Sequence, residues 1–246
     1  MARTRDHHAH AQRRAAFVDL AQQLIAVKGY EQLSVQELLD QTGSSKGAFY
    51  HYFDGKSELL SAVVERMVDA VLETVQPMID DPQLSAIEKL EGLFGRIGSW
   101  KTQRKELLLA LMAGWYSDDN ALTRERFRRE VLARMLPLLS RIVRQGAEEG
   151  RFRVGDPQGA ADVLIALLLG MNDRAGRLFL DRQTDRVSYE EVVEIFRGYA
   201  EAFDRILGLP PGTLRLMDEE IARVWFAEPL IAAAPPAAID SNRKEH

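Results

Sequence analysis

Residues 29–60 read GYEQLSVQELLDQTGSSKGAFYHYFDGKSELL, and this stretch decides the fold. Ser34 is followed three residues later by Glu37, the spacing of a capping box, and Leu33 ahead of the cap can close on Leu38 inside the first turn. A helix is predicted to start there. Val35, Leu38 and Leu39 give it an apolar stripe, and Gly43 supplies a residue that tolerates the left-handed conformation at a helix end. Ser44 and Ser45 then cap a second short helix, in which Phe49 and Phe53 fall one turn apart and face inward. Lys46, Gly47, Tyr50 and His51 are left facing outward. Two short capped helices across a tight glycine turn make a helix-turn-helix, the arrangement that places a helix in a DNA major groove.

The surrounding composition fits a water-soluble helical protein. The chain has 246 residues, of which 46% are hydrophobic, and it carries a net charge of −5. The first 56 residues run against that balance, because Arg3, Arg5, Arg13, Arg14, Lys28, Lys46 and Lys56 outnumber the acids there. The basic excess sits where DNA would bind, and it is small, so positioning must matter more than bulk attraction. Cysteine is absent, which excludes disulfides, thiolate metal sites and thiol nucleophiles. The first residues, MARTRDHHAHAQRR, contain no apolar signal-peptide core, and the apolar runs at 107–116 and 163–171 are too short to span a bilayer. The expected location is the cytoplasm.

Along the chain every periodic segment reads as helix and none alternates as a strand would. The predicted order is an arm over 1–10, then helices near 11–27, 34–42, 45–53 and 56–76. Six more follow near 83–99, 102–117, 120–149, 157–181, 188–208 and 213–226. The fourth helix should end before Pro77, and Pro137 should kink the helix from 120. The tail over 229–246, with AAAPPAA, reads as disordered. The expected fold class is all-α: an N-terminal DNA-binding domain over 1–55 and a larger helical domain over 56–228.

The quoted residues resemble the tetracycline-repressor-like, or TetR, family of transcriptional regulators. The likeness runs through Gly29-Tyr30, Ser34, Gly43, Ser45-Lys46-Gly47-Ala48-Phe49-Tyr50, Phe53 and Lys56-Ser57-Glu58-Leu59-Leu60, about forty residues of dense match. One departure is Tyr52, where the family often has histidine. The resemblance implies a homodimer bound to a double-stranded DNA operator. It also implies DNA contacts by Ser34, Ser44, Ser45, Lys46, Gly47, Ala48, Tyr50, His51, Tyr52 and Lys56, with phosphates met by Ser34, Ser45, Tyr50, Tyr52 and Lys56. Base edges or methyl groups would then fall to Lys46, Gly47, Ala48 and His51.

The same resemblance makes the last two long helices a subunit interface, carried by Val163, Leu164, Leu167, Leu168 and Met171 on one and Val192, Phe196, Tyr199 and Phe203 on the other. The competing reading is that these residues form the chain's own core. It also implies an inducer pocket walled by Trp100, Met112, Trp115 and Tyr116, with Arg96, Arg104 and Asn172 as polar anchors, for a small and mostly apolar effector. Here the competing reading is ordinary aromatic packing with surface arginines.

Enzymatic readings find no support. TGSSKG lacks the four-residue gap of a phosphate loop, and neither HExxH nor Gly-x-Ser-x-Gly occurs. His7, His8 and His10 stand beside arginines and read as a solvated, DNA-proximal tail rather than as metal ligands. No cofactor or metal is expected. The leading expectation is a ligand-responsive repressor, and the alternative is a DNA-binding or DNA-organising dimer without a small-molecule effector.

Overall fold

The computed structural model describes residues 2–227, with side chains from His10 onward apart from that of Ala113. The expected tail over 229–246 lies outside the described residues. Among the described residues every regular element is a helix. They are α1 (Ala2–Lys28), α2 (Val35–Thr42), α3 (Lys46–Tyr50), α4 (Lys56–Asp80), α5 (Ala86–Gln103), α6 (Lys105–Trp115), α7 (Ala121–Glu148), α8 (Pro157–Gln183), α9 (Tyr189–Leu207) and α10 (Glu219–Phe226). A single 3-10 turn, Asp118–Asn120, links α6 to α7. None of these helices is long and apolar enough to cross a membrane.

The capping chemistry explains most of the boundaries. Ser85 and Ser188 each accept a hydrogen bond from the backbone N–H three residues on, at Glu88 and Glu191, whose carboxylates return to the cap backbone. Asp156 caps α8 by accepting the Gln158 N–H, and Asp218 caps α10 by accepting those of Glu220 and Ile221. Such caps satisfy N–H groups that have no partner inside the helix.

The boundaries differ most from the sequence expectation in three places. The arm over 1–10 is helical from Ala2, because no glycine or proline interrupts the chain before Lys28 and alanine, glutamine and arginine favour helix. Helix α4 continues through Pro77 to Asp80, and Pro137 lies inside the single helix α7 expected from 120. Both prolines are exposed, so the carbonyls they free, at Glu73 and Ala133, can turn to water instead of ending the helix. The last helix starts at Glu219 and not near 213. Residues 209–218 form a loop held from below by the fully buried Asp204, whose carboxylate accepts N–H bonds from Gly212 (2.7 Å), Thr213 (3.2 Å) and Leu214 (3.1 Å).

Three cores organise the chain. The largest joins α4, α5, α7, α8 and α9 around Leu90, Leu139, Ile142, Leu164 and Phe203. A smaller one joins α8, α9 and α10 around Leu178, Val192 and Phe226. The third holds Phe17, Ile25, Leu38, Phe49, Phe53 and Leu59 from α1 to α4, and it also takes in Trp100, Leu107 and Leu111 from α5 and α6. The helix-turn-helix region therefore shares a core with the larger helical part. Fully burying each such side chain contributes about 1.5–3 kcal/mol, so this shared core resists hinging at α4 alone.

The core assignments correct the expected subunit interface. Leu164, Leu168, Val192, Phe196 and Phe203 are buried within a single chain, so they cannot meet a second one. Helical periodicity marks a face that avoids water, but it does not say which neighbour covers it. Of the nine residues, only Val163 (51% exposed), Leu167, Met171 and Tyr199 remain accessible.

Candidate nucleic-acid interface

Ser34 sits in extended backbone ahead of α2 and its hydroxyl accepts the N–H of Glu37 at 3.2 Å. The expected capping box is only half formed. The Glu37 carboxylate reaches the ammonium of Lys28 at the end of α1 instead of the cap backbone, because an ion pair outcompetes a second neutral N–H. That pair ties α1 to α2. At the other end Gly43 takes φ 62°, and its N–H and that of Ser44 return to the Leu39 carbonyl. A side chain at this φ would be strained, which is why the turn is glycine.

Ser45 caps α3 by accepting the N–H of Ala48 at 3.2 Å. Beneath α3, Phe49 and Phe53 are buried and pack with Phe17 of α1, with Phe17 and Phe49 edge to face at 5.5 Å. The inward pair predicted from sequence is thus the floor on which α3 rests. On the outer side Ser34, Ser45, Lys46, Gly47, Tyr50 and His51 are exposed, while Ser44, Ala48, Tyr52 and Lys56 are half-buried. The ten candidate contacts fall on the cap of α2, the turn into α3, α3 itself and the segment running into the first residue of α4.

Two of the half-buried residues are held by neighbours outside the motif. Lys56 places its ammonium 4.3 Å from the centre of the Tyr30 ring and donates to the Glu31 carbonyl at 3.0 Å. Burial lowers its pKa from the ordinary lysine value. Tyr52 packs on His10 of α1, ring centres 4.5 Å apart, and His10 also lies 5.2 Å from the ring of His51. Arg14 stacks over Phe53 at 5.2 Å. Sequence reasoning placed His10 and Arg14 near DNA and Tyr30 in the motif, but did not see that they support Tyr52, Phe53 and Lys56. The 10, 14, 17 spacing on α1 carried the signal, which becomes readable once the helix extends back through the expected arm.

The seven expected ligand contacts separate. Arg96, Trp100 and Arg104 line one groove between α4 and α5, with a cavity volume of about 580 Å³. The other four do different work. Met112 packs against the α8–α10 core, and Trp115 meets Phe127 edge to face at 5.1 Å. The Tyr116 hydroxyl donates to the Asp173 carbonyl at 3.3 Å, and Asn172 accepts from Lys101. The groove is lined mainly by polar side chains, including Glu73, Thr74, Ser99 and Gln103, and so differs from the apolar pocket expected.

The buried aromatic floor, the left-handed glycine and the capped α3 coincide with a known sequence pattern. The profile of bacterial regulatory proteins of the tetR family matches residues 17–63. Residues 17–63 carry the DNA-binding segment of that family. A transcriptional regulator of Lactococcus lactis is 47% identical over 47 residues, which is 19% of this chain and 24% of that protein. The transcriptional repressor KstR2 of Mycolicibacterium smegmatis is 31% identical over 84 residues, 34% of this chain and 40% of that one. The chain thus spans a quarter to two fifths of these relatives, and the likeness lies mainly in the DNA-binding segment that defines the TetR family. Beyond it, the crystal structure of RolR with resorcinol covers 88% of this chain and 94% of RolR, with a TM-score of 0.57 and 18% identity, a likeness of fold.

Proposed function

We propose that the chain is a DNA-binding transcriptional repressor that acts as a homodimer and is released from a pseudo-palindromic operator by a small-molecule effector. The observation that carries this reading is the outer surface of α3 and its caps, where Ser45, Lys46, Gly47, Tyr50 and His51 stand exposed on a buried aromatic floor. A rigid support is what base readout needs, because contacts to base edges discriminate only if the helix is held in register. Residues 1–55 act as the DNA-binding domain and 56–228 as the dimerising and effector-responsive domain, in the cytoplasm. The relatives named above include repressors, and RolR is seen with a bound small molecule.

Dimerisation falls to the accessible face of α8 and α9, with Val163, Leu167, Met171 and Tyr199. Two routes carry a change from the larger domain to the DNA surface. One is α4, which begins at Lys56. The other is α6, which packs on α1 and accepts the Tyr30 N–H at the Ala110 carbonyl (3.2 Å). An effector alters DNA affinity only by the difference in its affinity for the two arrangements. The test is selection of operator sequences from randomised duplexes. A palindromic consensus with half-sites about one helical turn apart supports the reading, and recovery of no consensus removes it.

A further inference from the structure

We propose that the groove between α4 and α5 is a binding site for a small aromatic monocarboxylate, with Arg96 and Arg104 as its anion anchors. The proposal rests on the effector-responsive reading above and supplies the ligand chemistry that reading leaves open.

The volume of about 580 Å³ lies in the range of small-molecule sites and leaves room for a ring and its substituents. Arg96 lies on α5 and Arg104 caps its C-terminal end eight residues on, roughly 12 Å along the axis. Both are exposed, and among the described residues neither is paired with a carboxylate. Arg96 makes one long contact, to the Thr74 carbonyl at 3.4 Å. The groove therefore holds two cations whose hydrogen-bonding edges are largely unused.

Arg104 decides the shape of the ligand. Its guanidinium lies 4.4 Å from the centre of the Trp100 ring, and Trp100 is itself only 7% exposed and so fixed in place. A guanidinium stacked on one aromatic face keeps its N–H edge free for a carboxylate and its other face free for a second flat group. A planar acid can use both.

Glu73 decides the charge. It stands on the α4 wall of the same groove, so the charged lining nets one positive charge and a second anionic group on the ligand would meet a like charge. Thr74, Ser99 and Gln103 add neutral donors and acceptors suited to a ring hydroxyl. The α4 wall is part of the helix that begins at Lys56, so occupancy presses on an element that ends at the DNA surface.

Isothermal titration of the full chain with 2-naphthoate, and with 2-naphthamide as the uncharged comparator, tests the assignment. Naphthoate should bind saturably and naphthamide roughly tenfold or more weakly, the loss expected for one charge-assisted hydrogen bond. Arg96→Met and Arg104→Met should each weaken naphthoate by a similar factor. Glu73→Gln should tighten it severalfold, a change that a purely structural Glu73 would not produce. Circular-dichroism melts confirm that each variant is folded. Naphthoate binding that is indifferent to all three substitutions, or no saturable binding by the folded parent, overturns the site. Operator binding is measured separately. Failure to bind any DNA removes the regulator reading while leaving the carboxylate site standing, and operator binding without naphthoate uptake removes the site alone.

Discussion

The ring of Tyr30 rests directly on Gly114: a Cβ added at Gly114 would stand 2.0 Å from Tyr30 Cδ1. Tyr30 belongs to the turn before α2, and Gly114 to the last turn of α6. The smallest residue in the larger domain thus receives the aromatic ring that carries Lys56. Burial pushes the Tyr30 phenol pKa up, which agrees with an enclosed ring. Gly114→Ala should cost about 1–3 kcal/mol, the usual penalty for overfilling a packed site. It should also weaken operator binding, although Gly114 touches no DNA. Melting curves and a binding isotherm check both, and an unchanged melting temperature would show that the ring has room to move.

The two lysines of the proposed DNA surface should behave differently. Lys56 is anchored by Tyr30 and the Glu31 carbonyl, and we assign it to a phosphate. Lys56→Ala should lower affinity for all sequences alike and reduce the salt-dependence slope by about one. Lys46 is exposed, with its ammonium 5.9 Å from the Tyr50 ring centre, and is free to reach a base edge. Lys46→Ala should change the preferred sequence in a randomised-site selection. An identical consensus for both proteins would reassign Lys46 to the backbone.

Substitutions on α8 and α9 separate a core from an interface. Leu168→Glu or Phe196→Glu places a charge inside the chain's own core and should abolish folding, since an uncompensated buried charge costs several kcal/mol. Val163→Glu lies on the accessible face of α8. It should leave the melting temperature of a dilute sample nearly unchanged while converting the proposed dimer to a monomer. Sedimentation velocity reads the outcome, and an intact Val163→Glu dimer would move the interface elsewhere.

Lys101 gives a pH dependence of definite sign. Its ammonium, at the end of α5, is desolvated and hydrogen-bonded only to the neutral amide of Asn172, which lowers its pKa from 10.5 to about 8. Below pH 8 the native and unfolded chains both carry the proton, and the cost of the buried charge is fully present. Between pH 8 and 10.5 the native lysine releases its proton while the unfolded one keeps it, so stability rises with pH through that window. Lys101→Met should therefore melt higher than the parent at pH 7. The advantage should shrink as pH rises towards 10.5, and a difference independent of pH would mean that the amine is solvated.

The helix-turn-helix was legible because its determinants are local. Ser34, Gly43 and Ser45 act on residues within five positions, and Phe49 with Phe53 needs only one helical turn to define a face. The larger part was legible as helices but not as an arrangement. The apolar periodicity of α8 reads alike whether Leu164 packs on α7 or on a second chain. Glu37 was misread for a similar reason: its partner Lys28 lies across a turn, and sequence spacing favoured the nearer cap. The groove residues Glu73 and Arg104 are 31 positions apart, and nothing in either segment announces that antiparallel packing of α4 and α5 brings them to one cavity.

Arg182 of α8 holds the end of α10, donating to the carbonyls of Phe226 (3.0 Å) and Ala227 (3.2 Å) and to that of Val187 (3.1 Å). Arg182 as a whole is 8% exposed. This clasp sets a rule for shortening the polypeptide. A stop codon placed ahead of Phe226 would remove two of its acceptors and leave the guanidinium with the Val187 carbonyl and the exposed Asp185 carboxylate, so trimming and arginine cannot be treated as independent edits. A minimal version ending before α10 would need a neutral side chain such as leucine at position 182.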